Sequence, residues 1–174
     1  AQLPNSKVMG EVGGLPPAGF DFGNSPTRIL EHDLTGITLI QRTGAGTQGA
    51  VRSVHAKVMF AASFVVAQAT MEHVLRLRPE EVTFVVTGGA DNAEDLACAE
   101  FFEKQFTGQA VDSEDLIRRV VQSRDAFQHM NDHPQFPRSD LDLCTRINAF
   151  NFAMPIKRKN GFLIMQALNL KPEN

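Results

Sequence analysis

The chain has 174 residues, of which 43% are hydrophobic and 21% are charged, and its formal net charge at pH 7 is −3. These values predict a soluble globular chain with a sizeable core, and they give no reason to expect nucleic acid or an anionic membrane as a partner. The two cysteines, Cys98 and Cys144, are too few and too far apart for a disulfide framework or a zinc knuckle, so we expect a cytoplasmic protein.

The N-terminal part is rich in glycine and proline. Residues 1–26 show no periodicity, and we expect them to form a loop or tail ahead of a single α/β domain at residues 27–174. Within the tail, two phenylalanines flank Asp21, and Asn24 and Ser25 follow. The aromatic rings would anchor this loop on the core and leave its polar side chains free to bind a ligand. A compatible structural role is that Ser25 caps a short helix, with the next residue, a proline, at its first position.

A strand followed by a glycine turn organises the rest of the chain. Ile37 to Gln41 form a short β-branched, apolar run, which predicts a buried strand. Glycines follow at positions 44, 46 and 49, and Thr47 is placed to cap the helix that begins there. A turn of this kind gathers backbone N–H groups and the positive end of a helix dipole, which suits a phosphate or a similar anion.

The candidate phosphate-binding residues of this turn are Arg42, Thr43, Gly44, Gly46 and Thr47. Two alternatives remain open at this point. The six residues from Gly44 fit the Gly-x-Gly-x-x-Gly dinucleotide fingerprint, but the acidic residue expected about 20 positions later is missing. The turn could also serve packing alone, because glycine turns are common in α/β proteins.

Further strands and helices alternate along the chain. A second strand is predicted at Lys57 to Ala62, a helix at about Phe64 to Leu77, and a third strand at Val82 to Val86. The third strand is almost wholly apolar, which is typical of a strand buried on both faces of a parallel sheet. We therefore expect an α/β fold, a three-layer sandwich with a mostly parallel sheet covered by helices.

A cluster of acids lies where the predicted third strand ends. Asp91, Glu94 and Asp95 surround the start of a helix predicted at Ala93 to Phe106. Because ligands of open α/β sheets bind at the carboxyl ends of the strands, this loop and the glycine turn should lie at the same rim. The acids either favour the helix dipole or supply the hard oxygen ligands of a Mg²⁺ site, and the residues alone leave both roles open.

The last third of the chain predicts two more helices and a hairpin. The predicted ranges are a helix from Asp112 to about His129, a loop from Asn131 to Ser139, a short helix from Asp140 to Ile147, and strands from Phe152 to Lys157 and from Phe162 to Gln166 on either side of Asn160-Gly161. The Asn-Gly pair is the strongest short signal for such a C-terminal β-hairpin.

Three stretches, in this order, resemble the 2-phosphosulfolactate phosphatase family. Gly19 to Pro26 is similar to the family's glycine-phenylalanine-aspartate and asparagine-serine-proline loop. Arg42 to Thr47 is similar to its threonine- and glycine-rich turn, and Glu94-Asp95 to its Glu-Asp pair. The segment from Phe136 to Cys144 is similar as well, so the resemblance extends over most of the chain.

The resemblance implies a Mg²⁺-dependent phosphatase that removes phosphate from phosphosulfolactate, a step toward coenzyme M. From the charge that a phosphate ester carries, we expect Asp21, Arg42 and Glu94 to be catalytic, with Arg42 as a bidentate phosphate donor. We expect Asp21, Glu94 and Asp95 to ligate the metal, directly or through water.

Asn24 and Ser25 would then orient the small phosphorylated substrate. Two features depart from the family: members usually carry an upstream strand with an aspartate and an arginine, which we expect to be lacking here, and Ala45 stands where many members have asparagine. A non-catalytic domain that binds a phosphorylated metabolite is therefore a second hypothesis, and a nicotinamide-nucleotide enzyme is a third. The sequence leaves the oligomeric state open, although a homodimer would cover exposed sheet edges.

Overall fold

The strands fall into two separate sheets. The computed structural model describes residues 3–88, 92–130 and 134–169. The strand bounds are β1 Ser6–Gly10, β2 Thr38–Arg42, β3 Met59–Ala61, β4 Phe152–Lys159, β5 Phe162–Met165 and β6 Leu168–Asn169. β1 and β2 pair in parallel, with Gly10 opposite Arg42. β3, β4 and β5 form an antiparallel sheet, to which β6 adds by pairing with β4.

The mixed α/β class and the C-terminal hairpin are confirmed. Between β4 and β5, Asn160 and Gly161 have φ values of 52° and 80°, which a two-residue hairpin turn of the primed type requires. The three-layer sandwich with a mostly parallel sheet is not confirmed, because in the described part of the chain β1 and β2 are the parallel pair. The prediction that this strand is buried is wrong, because β2 is exposed at all of its residues.

The tail expected at residues 1–26 contains a strand. β1 places Met9 in the core at 7% exposure. Phe22 forms a parallel bridge with Met9, and the Gly10 N–H donates to the Phe22 carbonyl at 3.1 Å. The loop prediction is therefore wrong at Ser6–Gly10, because a five-residue run that includes Ser, Lys and Gly carries too little apolar pattern to indicate a strand.

The helices of the described part are mostly short. Their bounds are α1 Pro26–Ile29, α2 Gly46–Arg52, α3 Ala67–Arg76, α4 Ala93–Phe106, α5 Ser113–Val121, α6 Arg124–Phe127 and α7 Ser139–Cys144, with single 3₁₀ turns at Phe64–Val66 and Gln128–Met130. α4 has the predicted bounds, and Ser25 caps α1 as predicted by accepting the Arg28 N–H at 3.3 Å. Within these described ranges no helix is long and apolar enough to cross a bilayer.

The main core cluster lies between α3, α4 and α5. Its buried members are Phe64, Ala67, Ala97, Phe101, Phe102, Leu116 and Val120. Phe101 meets Phe64 and Phe102 edge to face, with ring centroids 5.6 and 6.0 Å apart, a geometry that adds to the stabilisation from burial alone. Helix packing therefore supplies most of the interior of the described part.

The strand predicted at Val82 to Val86 does not form. The segment has no strand structure, and Val82 and Val85 are 40% and 57% exposed. Phe84 does pack inward, against Phe102 and Phe106 with ring centroids 6.3 Å away in each case. An apolar run becomes a strand only where a neighbouring strand accepts its backbone hydrogen bonds, and within the described residues no strand lies paired beside this segment.

The helices predicted from Asp112 to about His129 and from Asp140 to Ile147 are shorter in the structure. α5 ends at Val121, where the Ser123 hydroxyl caps the new helix α6, so that one predicted helix is divided in two. α7 ends at Cys144, and the Thr145 hydroxyl donates back to the carbonyl of Leu141 at 2.7 Å. In both cases a hydroxyl side chain bonds to nearby backbone and ends a regular helix.

Candidate active site

β1 and β2 end side by side and lead into loops at the same edge. A Cβ atom added to Gly10 would lie 1.7 Å from the carbonyl oxygen of Arg42, so only glycine allows this close approach. Just beyond, the Glu11 N–H donates to the Arg42 carbonyl at 3.0 Å, and Arg42 Nη1 donates to the Glu11 carbonyl at 2.7 Å. The two strand ends are thus fastened to each other where the glycine turn starts.

Two threonines hold the turn that follows Arg42. The Thr47 N–H donates to Thr43 Oγ1 at 3.2 Å, and the Thr47 hydroxyl donates to the Thr43 carbonyl at 2.8 Å. α2 therefore begins at Gly46 with Ala45 as its N-cap, and the predicted Thr47 cap is wrong. An added Cβ at Gly46 would meet no atom within 4 Å, so the turn is closed on the threonine side and open at Gly46.

Glu11 places a carboxylate against this turn, and sequence reasoning missed it. Its Oε1 accepts the Gly44 N–H, and its Oε2 accepts the Gly14 N–H at 2.9 Å. These two N–H groups, Gly14 first, hold the pKa of Glu11 below its ordinary range, with the Arg42 charge acting in the same direction and partial burial opposing. The available signal was its position directly after β1, a strand that the sequence pattern did not reveal.

Thr87 connects α2 to the acidic loop. A Cβ on Gly49 would lie 2.5 Å from Thr87 Cγ2, so glycine is required for this approach. Thr87 in turn donates its N–H and its hydroxyl to Asp95 Oδ2, at 2.9 and 3.2 Å. Thr87 therefore lies between α2, which follows the glycine turn, and the start of α4.

Glu94 and Asp95 lie in the first turn of α4 and are half-buried. The Asp95 carboxylate holds the end of the apolar segment through Thr87. Burial, with the nearby Asp95 charge, raises the pKa of the Cys98 thiol to about 12, which makes this thiol a poor nucleophile. Asp91, the third acid of the predicted cluster, lies outside the described residues.

Asp21 is engaged by two residues of β1. Its Oδ1 accepts from Lys7 Nζ at 2.7 Å, and its Oδ2 accepts the Val8 N–H at 2.8 Å. The hydrogen bond from Lys7, followed by that from Val8, holds the pKa of Asp21 below its usual value. Because a strand rises roughly 3.3 Å per residue, the Val8 amide lies about 10 Å along β1 from Glu11. The Asp21 carboxylate thus fastens its loop to the side of β1.

Ser25 is buried, and its hydroxyl is directed into the protein. It donates to Asp140 Oδ1 at 2.9 Å, and the same oxygen accepts the Thr27 N–H at 2.9 Å. Asp140 is 3% exposed, and its Oδ2 lies 3.9 Å from His129 Nδ1. Asn24, next to Ser25, is exposed. Asp140 therefore fixes the predicted substrate loop through its hydrogen bonds to Ser25 and Thr27. Ser25 is used in this contact, whereas Asn24 faces solvent.

The predicted metal ligands do not form one set in the described part of the chain. Asp21 is bonded to Lys7 and Val8, and Asp95 to Thr87. Among the described residues, no group of three or more His, Cys, Asp or Glu side chains is arranged to hold a metal ion. In the described part of the chain Asp21 therefore does not form one ligand set with Glu94 and Asp95.

A known protein family matches most of the chain. The family described as 2-phosphosulpholactate phosphatase matches residues 1–159. The chain belongs to this family.

Curated relatives carry the name probable 2-phosphosulfolactate phosphatase. The Bacillus subtilis protein is 30% identical over 158 residues, which cover 89% of this chain and 69% of the relative. The Thermosynechococcus vestitus protein is 38% identical over 102 residues, 56% of this chain and 42% of the relative. The Microcystis aeruginosa protein is 26% identical over 172 residues, 89% of this chain and 71% of the relative. The family and these names indicate a phosphatase, that is, a phosphoric monoester hydrolase.

In this member of the 2-phosphosulpholactate phosphatase family, the predicted site residues lie in three parts of the structure. Arg42 and the turn from Thr43 to Thr47 lie at the ends of β1 and β2. Glu94-Asp95 joins this region through Thr87. Asp21 and Ser25 are instead engaged by partners elsewhere in the fold.

Proposed function

We propose that this chain hydrolyses a phosphomonoester of a small acid, with 2-phosphosulfolactate, the substrate in its relatives' names, as the first candidate. The observation that carries the proposal is the Arg42 to Thr47 turn at the joined ends of two parallel strands, beside the acidic start of α4. Open α/β sheets bind ligands at this end of their strands. The family match over residues 1–159 supports the reaction class.

The chemistry requires neutralisation of the phosphate charge, and Arg42 is the side chain best placed to supply it. One of its donors, Nη1, is used by the Glu11 carbonyl, and a guanidinium has five N–H donors in all, so it can also contact phosphate oxygens. The Gly44 N–H is engaged by Glu11, so the open side of the turn at Gly46 is where a phosphate group has room. Asn24, exposed on its clamped loop, would contact the rest of the substrate.

Magnesium dependence belongs to this proposal as well. Support comes from the family resemblance and from Glu94 and Asp95 beside the turn. Glu94 and Asp95 would hold the ion, and it would supply neutralisation of the phosphate charge. A role on the route to coenzyme M and a cytoplasmic location are likewise proposals that follow from the resemblance.

The test is phosphate release from 2-phosphosulfolactate and from p-nitrophenyl phosphate, each with Mg²⁺ and with EDTA. We expect release that depends on Mg²⁺. Arg42→Ala should lower kcat/KM by the value of a charge-assisted hydrogen bond, about 1.5–3 kcal/mol. Arg52→Ala, in the last turn of α2, is the matched control and should stay close to the unchanged protein. Equal activity in both variants would contradict the role of Arg42.

A phosphometabolite-binding domain without catalysis is the second candidate. It is favoured by the bonding of Asp21, whose carboxylate is engaged by Lys7 and Val8, whereas Asp95 is engaged by Thr87. Calorimetric binding of phosphorylated ligand without phosphate release would select it. The dinucleotide alternative loses support, because β2 and β3 lie in different sheets and so do not form the β-α-β unit that this fingerprint requires.

A further inference from the structure

Glu11 connects the two loops that leave β1 and β2. Its carboxylate accepts N–H groups from both loops, Gly14 on its own side and Gly44 in the glycine turn. We infer that Glu11 is a positioning residue of the phosphate-binding turn: it fixes where the turn lies and does not itself contact substrate. The inference rests on the proposed function for its catalytic readout, although its structural part can be tested separately.

The contact is specific to a carboxylate. Each oxygen of Glu11 accepts one backbone N–H, so two acceptors at this spacing are needed. Glutamine would retain one acceptor and place an NH₂ group against the other N–H, where neither partner can accept. The fit is also tight from the turn side, because a Cβ added at Gly44 would lie 3.2 Å from Glu11 Oε1. A side chain at Gly44 or a shorter acid at Glu11 would therefore shift the turn.

The same contact aligns Arg42. The Glu11 backbone exchanges hydrogen bonds with Arg42 at both its N–H and its carbonyl, the second through Arg42 Nη1. Movement of Glu11 therefore displaces both the turn and the guanidinium that the proposed function assigns to phosphate. The carboxylate is charged at neutral pH, and its N–H partners lower its pKa further. Its bond to Gly44 is thus a charge-assisted one, of the stronger class.

Gly44 is consequently reassigned. Its N–H was a candidate phosphate donor, and in the structure it is the donor that anchors the turn to β1. A phosphate oxygen at the Gly44 N–H would have to share it with a second anion. Under this inference phosphate affinity depends on Glu11 although no atom of Glu11 touches phosphate.

The experiment compares Glu11→Gln with Glu31→Gln, a control on an exposed carboxylate paired with Arg28. Binding of inorganic phosphate is followed by amide NMR, and kcat and KM are measured on p-nitrophenyl phosphate. We expect Glu11→Gln to weaken phosphate binding and to lower kcat/KM, each by about 10- to 100-fold. The reason is that a displacement of the turn and of Arg42 by about 1 Å would misplace the groups that contact phosphate. The control should match the unchanged protein. Unchanged phosphate affinity in Glu11→Gln would overturn the inference, whatever the effect on stability.

A second measurement uses the unchanged protein and does not depend on a variant that folds. The Gly14 and Gly44 amide signals should shift together with pH, with one midpoint below the ordinary glutamate pKa of 4.5. Independent titration of the two amides would overturn the inference. If the unchanged protein releases no phosphate from any ester, the proposed function fails, and the phosphate-binding and amide measurements still decide the role of Glu11.

Discussion

Replacement of Asp140, a buried carboxylate, should lower the stability of the fold much more than replacement of a neighbouring exposed carboxylate. It is 3% exposed, and its Oδ1 accepts from the Ser25 hydroxyl and the Thr27 N–H, both at 2.9 Å. Asp140→Ala removes both bonds and leaves a buried hydroxyl and an amide without this acceptor. Asp142→Ala is the matched control, because Asp142 lies in the same first turn of α7 and is exposed.

The magnitude follows from the bonds lost. A hydrogen bond to a charged group contributes roughly 1.5–3 kcal/mol, and Asp140→Ala removes two of them. We therefore expect Asp140→Ala to lower the free energy of unfolding by about 3–6 kcal/mol. Asp140→Asn keeps one acceptor oxygen and should lose about half as much, and the control should change it by less than about 0.5 kcal/mol.

The assay is urea unfolding, followed by circular dichroism, of the three variants and of Ser25→Ala. A double-mutant cycle between Ser25 and Asp140 should give a coupling of about 0.5–3 kcal/mol, as for residues in direct contact. The reasoning is refuted if Asp140→Ala is no less stable than Asp142→Ala, or if the coupling is zero. Activity should fall with Asp140→Ala as well, because the loop that presents Asn24 is clamped at Ser25.

Two further predictions concern the glycine turn and the acid end of the pH range. Gly49→Ala should destabilise the protein by about 1–3 kcal/mol, because its Cβ would lie 2.5 Å from Thr87 Cγ2. The Cβ of Gly46→Ala would meet no atom within 4 Å, so this variant should keep its stability and lose phosphate affinity. Thermal unfolding measures the stability of both variants, and phosphate titration measures their affinity. Lys7→Met should lower the melting temperature at pH 7. Since the pKa of Asp21 is depressed below its ordinary 3.8, the stabilisation is present above that value, and the difference between the two proteins should disappear as pH falls through the lower, folded-state pKa. A difference independent of pH would contradict the pairing.

Local patterns predicted the elements whose signals are contained in a few neighbouring residues. Asn160-Gly161 predicted the hairpin, Ser25 predicted the cap of α1, and the acids at its start marked where α4 begins. These predictions succeeded because turn geometry, capping and helical period depend on residues at most four positions apart. β1 was missed because it has little apolar pattern. The division of the helix predicted from Asp112 was missed because it depends on Ser123 capping a new helix, α6.

The candidate site was predicted in its parts but not in its arrangement. The helix that follows the Arg42 to Thr47 turn packs against Thr87 at Gly49, and Thr87 bonds to Asp95. Asp21 belongs to the same motif in the sequence, yet Lys7 and Val8 hold it along β1. A motif identifies which residue types are present, whereas the direction of a carboxylate depends on which donors the fold places beside it.

The sequence by itself determined the reaction class, through motifs that place the chain in a phosphatase family, and it determined most helices and the hairpin through short-range spacing. The tertiary structure alone decided that Glu11 anchors Gly44, that Asp140 anchors Ser25 across 115 positions, and that the Val82 to Val86 run remains unpaired. The physical reason is that a buried or bonded polar group requires a specific partner, and that partner is supplied by chain packing over distances at which residue spacing carries no information.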